Sequence, residues 1–175
     1  MTLTDKEIRV ALDMGEVVIE PSIPEDELDA RVGSVSIDLT LGREIVVVGT
    51  DEDETIVMND ADFMLSPGEF ILATTEEIVT LPRHIVGRLE GRSSIARLGL
   101  TVHVTAGIID PGFSGRITLE IANLGPKYIR LFPGMRICAL SFDRLAFPVS
   151  RSYGEKPSAK YQYQRSPIRG MVDNV

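Results

Sequence analysis

The sequence predicts a mostly β protein, a sandwich or barrel, with one short N-terminal helix. Three observations carry this. Apolar and polar residues alternate in many short runs between residues 35 and 142, which is the period of a half-buried strand. The runs are broken by turns that draw on 15 glycines and 10 prolines, as many short antiparallel strands require. Helical periodicity shows only near the start of the chain.

The helix comes first. Thr4-Asp5-Lys6-Glu7 has the form of a capping box, with Thr4 at the N-cap and Glu7 at N3. Ile8, Ala11 and Leu12 then share one helical face, and the helix should stop near Gly15. Val35, Ile37, Leu39 and Leu41 alternate with Ser36, Asp38 and Thr40, giving the first strand. Residues 51–54 read as a solvated acidic loop. Further strands are expected over residues 44–48, 69–74, 78–81, 85–89, 102–105, 116–122, 127–132 and 136–142, with one helical turn over 93–98. From residue 151 the aliphatic pattern fades, and Tyr153, Tyr161, Tyr163, Lys156, Lys160, Arg165 and Arg169 take over. Such a tail is either disordered or a flap that orders over something charged. Residues 1–175 thus read as one domain, with 151–175 its flap.

Composition narrows the class. A chain of 175 residues with 43% hydrophobic content can bury a real core. No apolar run approaches the ~20 residues of a membrane span. The polar start offers no signal-peptide core, and the lone Cys138 cannot form an internal disulfide, so a cytoplasmic protein is expected. Net charge is −8. It is unevenly spread: residues 1–82 hold 4 of the 18 basic and 20 of the 26 acidic side chains, net −16, and the remainder carries +8. A basic site on an acidic protein favours a small polyanion over nucleic acid.

The chemistry-bearing residues cluster in the basic part. Gly91-Arg92-Ser93-Ser94-Ile95-Ala96-Arg97 supplies two guanidinium groups and two hydroxyls, groups that hold phosphate oxygens. The serines could equally cap the short helix. Asp110, in Ile109-Asp110-Pro111-Gly112-Phe113, is either a turn residue capping its own backbone or a carboxylate presented on a rigid turn. Glu120 shares a strand face with Thr118 and Ala122, opposite Ile117, Leu119 and Ile121. It is either a solvated strand residue or a carboxylate in a cleft that takes a proton from water. Metal chemistry is poorly supported by two histidines and one cysteine. The zinc-deaminase H-x-E and P-C-x-x-C signature is absent, as is the phosphate-binding Gly-x-x-x-x-Gly-Lys-Ser/Thr loop.

Several motifs in order carry a resemblance: Gly-Arg-Ser-Ser-Ile-Ala-Arg-Leu-Gly-Leu from Gly91, Asp-Pro-Gly-Phe-Ser-Gly from Asp110, Thr118-Leu119-Glu120, and Ala159-Lys160-Tyr161-Gln162-Tyr163-Gln164. A weaker match covers residues 34–42, with their Ser-x-Asp-Leu-x-Leu-Gly. The chain resembles the dCTP deaminases of the trimeric dUTPase-like superfamily. The resemblance implies a distorted β-barrel of jelly-roll, β-clip type, assembled as a homotrimer with sites at subunit interfaces. It implies that Glu120 is the general base, that Ser93 and the Ala106 carbonyl orient the attacking water, and that Arg97 stabilises the tetrahedral state. Arg92 and Ser94 become phosphate ligands, Asp110 a contact of the deoxyribose 3′-hydroxyl, and Phe113, Tyr153, Lys160 and Gln164 further nucleotide contacts. Mg²⁺ would arrive bound to the triphosphate, with no zinc, no nucleic acid and no membrane involved.

The reaction implied is hydrolysis of dCTP to dUTP and ammonia. The alternatives are a plain dUTPase and a non-catalytic nucleotide sensor. Relatives that stop at dUTP tend to carry a bulky residue after the water-orienting alanine. Gly107 in that place resembles the bifunctional enzymes that proceed to dUMP and pyrophosphate. Two readings of Gly107 stand: room for a second water, or a turn that needs positive φ.

Overall fold

The computed structural model describes residues 1–49, 52–59 and 61–170. It is mostly β, as the alternation required. Eleven strands are all paired antiparallel among the described residues: β1 (Val18–Glu20), β2 (Ser36–Val47), β3 (Glu54–Val57), β4 (Phe63–Leu65), β5 (Phe70–Thr80), β6 (Ile85–Gly91), β7 (Leu100–Thr101), β8 (Ile108–Ile109), β9 (Ser114–Asn123), β10 (Ile129–Leu131) and β11 (Arg136–Arg144). Nine of them form one curled sheet in the order β7-β9-β5-β2-β11-β6-β8, with β1 on β5 and β3 on β2. The other two, β4 and β10, pair with each other.

The curl comes from the two long strands. β2 pairs with β11 through residues 36–40 and with β5 and β3 through 41–47, and its register on β5 shifts between Leu41 and Ile45. β5 shifts likewise against β9 between Thr74 and Ile78. Gly42 sits at the bend. A Cβ there would lie 3.1 Å from the Thr74 carbonyl oxygen, so a larger residue would push the strands apart by a few tenths of an ångström. The inward faces fill the core with Ile37, Leu39, Leu41, Ile45, Ile71, Leu119, Ile121 and Leu140, all fully buried.

Helix α1 (Asp5–Asp13) carries the expected capping box. The Thr4 backbone N–H donates to Glu7 Oε2 at 2.9 Å, and Ile8 and Ala11 are buried. The chain then turns through Gly15 at φ +66°. Glu16 follows and takes both arms of the Arg144 guanidinium at 2.5 and 2.7 Å, with His84 Nε2 2.7 Å away. Arg144, and then His84, hold its carboxyl down at about 2.

Several expectations are corrected. The N-terminal helix is not alone: α2 (Glu25–Arg31) follows it, buried through Leu28 and Arg31. Residues 44–48 and 78–81 are not separate strands but the far halves of β2 and β5. The strand expected over 102–105 lies instead at Leu100–Thr101, because residues 102–106 leave the sheet. β1, β3, β4 and β8 were not anticipated. Of the acidic loop, Asp51 falls outside the described residues and Glu54 opens β3. No helix among the described residues is long and apolar enough to cross a membrane.

Candidate active site

Strand alternation puts Ile117, Leu119 and Ile121 of β9 into the core and leaves Thr118 and Glu120 half-buried on the opposite face. The chain returning from β7 crosses this face. The Glu120 backbone N–H donates to the Val102 carbonyl at 3.1 Å, and the Val104 N–H donates to Glu120 Oε2 at 2.8 Å. The carboxylate is therefore held by one backbone donor and keeps its remaining lone pairs for something else. It lines a cleft of about 380 Å³ together with Ala106, Asp110, Phe113, Tyr153 and Gln164.

The Asp110 turn closes by a Phe113 N–H bond to the Asp110 carbonyl at 3.1 Å, with Gly112 at φ +81°. The Asp110 side chain does not cap this turn. It meets Lys156 Nζ at 2.8 Å. Phe113 is buried, and its ring meets that of Tyr153 edge-on at 5.7 Å.

Tail residues up to Gly170 close one side of the cleft. Tyr153, in a single 3₁₀ turn (Tyr153–Glu155), donates its N–H to the Pro111 carbonyl at 2.8 Å. Further on, the Tyr163 N–H donates to Ser114 O at 2.6 Å, and the Arg116 N–H donates to Gln164 O at 3.0 Å. The Gln164 amide donates to Arg116 O and Thr118 Oγ1, while its Oε1 is buried without a partner among the described residues. An unpaired acceptor beside a cleft wants a donor.

The Arg92–Arg97 group stands elsewhere in the same chain. Helix α3 (Ser93–Ala96) buries only Ile95, and Ser93, Ser94 and Arg97 are exposed. Arg92, not a serine, is its N-cap, and no side chain caps it, which disposes of the capping explanation for the serines. Arg92 and Ser94 line a second hollow of about 510 Å³ with Leu98 and Arg136. Six expected site residues thus meet in one cleft: Glu120, Ala106, Asp110, Phe113, Tyr153 and Gln164. Ser93, Arg97, Arg92 and Ser94 do not line it, nor does the half-buried Lys160. Thr118 and Tyr161 also line the cleft, and Lys156 reaches its Asp110 from outside it; none of the three was expected at the site from sequence. Thr118 shares the Glu120 strand face, a signal that was present. The meeting of Lys156 with Asp110 spans 46 residues, and nothing local announces it.

Of the two readings of Gly107, the turn that needs positive φ is not what the structure has. Its φ is not positive. A Cβ there would lie 2.9 Å from the Leu89 carbonyl oxygen and 3.2 Å from His103 Cε1, so the side-chain direction points into packed atoms. The Leu89 N–H donates to Gly107 O at 2.7 Å, and this contact fixes the loop against β6.

No group of three or more histidine, cysteine, aspartate or glutamate side chains able to hold a metal ion occurs among the described residues.

A family model described as dCTP deaminase-like matches residues 2–145. A dCTP deaminase of Natronomonas pharaonis is 43% identical, with 95% of this chain and 92% of that protein covered. A dUMP-forming dCTP deaminase of Halobacterium salinarum is 42% identical, covering 97% and 96%. Among solved structures, the 2′-deoxycytidine 5′-triphosphate deaminase of Agrobacterium tumefaciens superposes with a TM-score of 0.66 at 20% identity over 81% of this chain, which spans about half that protein (47%). A dUTPase of Staphylococcus bacteriophage 80alpha gives 0.52 at 17% identity, covering 77% of this chain and 94% of that one. At these identities the two structures speak for the dUTPase-like fold alone.

Proposed function

The chain belongs to the dCTP deaminase-like family, and from that premise we propose that it hydrolyses dCTP to dUTP and ammonia in pyrimidine deoxynucleotide metabolism. The observation that carries the reading is Glu120, a carboxylate tethered by a single backbone donor in the wall of a nucleotide-sized cleft.

The chemistry follows from what that carboxylate can do. Water is a weak nucleophile towards C4 of cytosine. Glu120 takes its proton as the oxygen adds to C4, then delivers that proton to the amino nitrogen. The C4–N bond breaks and ammonia leaves, while the remaining hydroxyl proton passes to the ring as the uracil carbonyl forms. A base that becomes an acid in the next step needs to stay within hydrogen-bond reach of both atoms, and the Val104 N–H bond fixes one oxygen and leaves the other available. The Ala106 carbonyl and Ser93 orient the water, and Arg97 offsets the charge of the tetrahedral state. Asp110 takes the sugar 3′-hydroxyl, displacing or sharing its bond to Lys156. Tyr153, Lys160 and Gln164 close over the triphosphate. We read the water as activated by Glu120 rather than by zinc.

Arg92, Ser93, Ser94 and Arg97 lie outside the Glu120 cleft of their own chain. The reading therefore takes them from a neighbouring copy, in a homotrimer with three shared sites. The excess positive charge of residues 83–175 supports an anionic ligand there. A magnesium ion carried on the phosphate oxygens would need few protein ligands here. Bound so, it neutralises phosphate charge.

A second reading, that the product continues to dUMP and pyrophosphate, is favoured by the dUMP-forming relative at 42% identity. Gly107 keeps its loop tight against β6, so the same atoms that pack there would be displaced by a bulky side chain. One experiment separates the readings. The protein is given dCTP, and separately dUTP, with Mg²⁺, and ammonia, pyrophosphate and nucleotides are resolved. Ammonia from dCTP with accumulating dUTP supports deamination alone. dUMP and pyrophosphate without free dUTP support the coupled reaction. Cleavage of dUTP without any ammonia from dCTP overturns the deaminase reading in favour of a plain dUTPase.

A further inference from the structure

The Ser-x-Asp-Leu-x-Leu-Gly stretch has no part in the chemistry above, yet its aspartate reaches the phosphate group of residues. Asp38 lies on β2, opposite Ala139 of β11. Its side chain is only 17% exposed, and Oδ2 stands 2.9 Å from Arg92 Nε and 3.7 Å from an Arg136 amino group. Arg92 Nη1 donates to the Arg136 carbonyl at 3.1 Å. Two of the guanidinium nitrogens are thus occupied by the protein, and the Nη2 edge carries no hydrogen bond among the described residues.

We propose that Asp38 is a positioning residue for the triphosphate: it holds the Arg92 guanidinium so that its open edge faces phosphate oxygens. This rests on reading Arg92 as a phosphate ligand. Arg92 is the exception in its group, since Ser93, Ser94 and Arg97 are exposed while its own side chain is 27% exposed and tied at two points. A long side chain on an open surface loses rotamer freedom when it grips a ligand. A carboxylate that fixes it beforehand removes that loss from the binding step.

The backbone that carries this carboxylate is itself braced. Arg31 donates from Nε and Nη2 to the Asp38 carbonyl at 3.0 and 2.8 Å. Arg31 in turn pairs with buried Glu77, which also accepts the Thr40 N–H and hydroxyl, each at 2.9 Å. The Asp38 backbone is therefore pinned at its own carbonyl and again two residues on at Thr40, and the aim of Arg92 is set from the core outwards.

The test uses the full chain and the variants Asp38→Asn, Arg92→Ala, Arg92→Lys and the Asp38→Asn/Arg92→Ala pair. KM and kcat for dCTP are measured, with the inhibition constant of deoxycytidine, which carries no phosphate, and the melting midpoint. Asp38→Asn should raise KM for dCTP about 5- to 30-fold, the scale of losing one charge-assisted bond. It should leave kcat and deoxycytidine binding within about twofold, and the double variant should be no worse than Arg92→Ala. Arg92→Lys should raise KM comparably without any change on β2, because an ammonium cannot span Asp38 and a phosphate at once. Wild-type KM in Asp38→Asn or Arg92→Lys alongside a raised KM in Arg92→Ala overturns the positioning role and leaves Arg92 a phosphate ligand. Equal loss of dCTP and deoxycytidine affinity in Asp38→Asn overturns it in favour of a purely structural aspartate. Unchanged KM in Arg92→Ala overturns the reading of Arg92 and the positioning role with it.

Discussion

Replacing Glu120 by glutamine separates the catalytic role proposed for this carboxylate from every other it could have. In the structure its side chain makes one hydrogen bond, accepting the Val104 N–H at 2.8 Å, while its backbone pairs with Leu72 across β5 and β9. Glutamine keeps an acceptor of the same reach and leaves the strand pairing untouched. The cost to folding should therefore be within about 1 kcal/mol, the worth of one hydrogen bond. Catalysis should fall much further. A general base contributes about 10²–10⁴-fold, or roughly 2.7–5.5 kcal/mol of barrier, and a residue used in both proton transfers belongs at the upper end. The assay is ammonia release at saturating dCTP, with dCTP binding by calorimetry and the melting midpoint measured on the same preparation. The expected result is turnover reduced by at least about a thousandfold, with binding and melting nearly unchanged. Turnover within tenfold of the parent would refute the base assignment. Loss of binding in proportion to turnover would make Glu120 a ligand contact instead.

Three other outcomes are expected. Glu16 has its carboxyl held at about 2 by Arg144 and then His84, against 4.5 for a free glutamate. Its contribution is thus fully present above about 4.5 and lost as pH falls from there towards 2; discounted for its quarter-exposed side chain, it is about 1–2 kcal/mol. Glu16→Gln should lower the urea midpoint at pH 7, and the gap should shrink to about a quarter near pH 2.5; an equal gap at both pH values counts against the clamp. Mixing inactive Glu120→Gln chains with inactive Arg97→Ala chains should restore part of the activity if sites are shared between copies, and no rescue in mixed assemblies verified by mass argues that they are not. Truncation before Tyr153 should raise KM for dCTP while leaving the assembly intact, and hydrogen exchange over 151–170 should slow on adding dCTP; identical exchange with and without nucleotide defeats the idea of a closing flap.

What could be read from the sequence was what local chemistry dictates. The Thr4–Glu7 capping box and the alternation around Glu120 are short-range patterns, and both appear as expected. α2 escaped because Leu28 is its only buried apolar residue, so no periodicity marks it. Its real signals were Pro24 at its start, the acidic run Glu25-Asp26-Glu27, and Arg31 at its end. β1, β4 and β8 are two or three residues long and exist only through their pairing strands. The same holds for the site. Motif order placed Glu120, Asp110 and Tyr153 together, but Asp110 with Lys156, Arg31 with Glu77 and Asp38 with Arg92 are meetings across the fold. Spacing cannot supply them, because each joins residues more than forty positions apart.

The tail's hold on β9 has a consequence for solubility. Along residues 114–116 that strand is paired on one side with β5, and on the other its backbone bonds go to Tyr163 and Gln164. The tail therefore covers a sheet edge, and an uncovered edge is a template on which a foreign strand can add. Each opening of the flap would bare a short row of unpaired amides and carbonyls next to an apolar cleft. If the motion that admits substrate is this opening, it is also the exposure that invites self-association, and saturating nucleotide should then slow aggregation in a light-scattering assay.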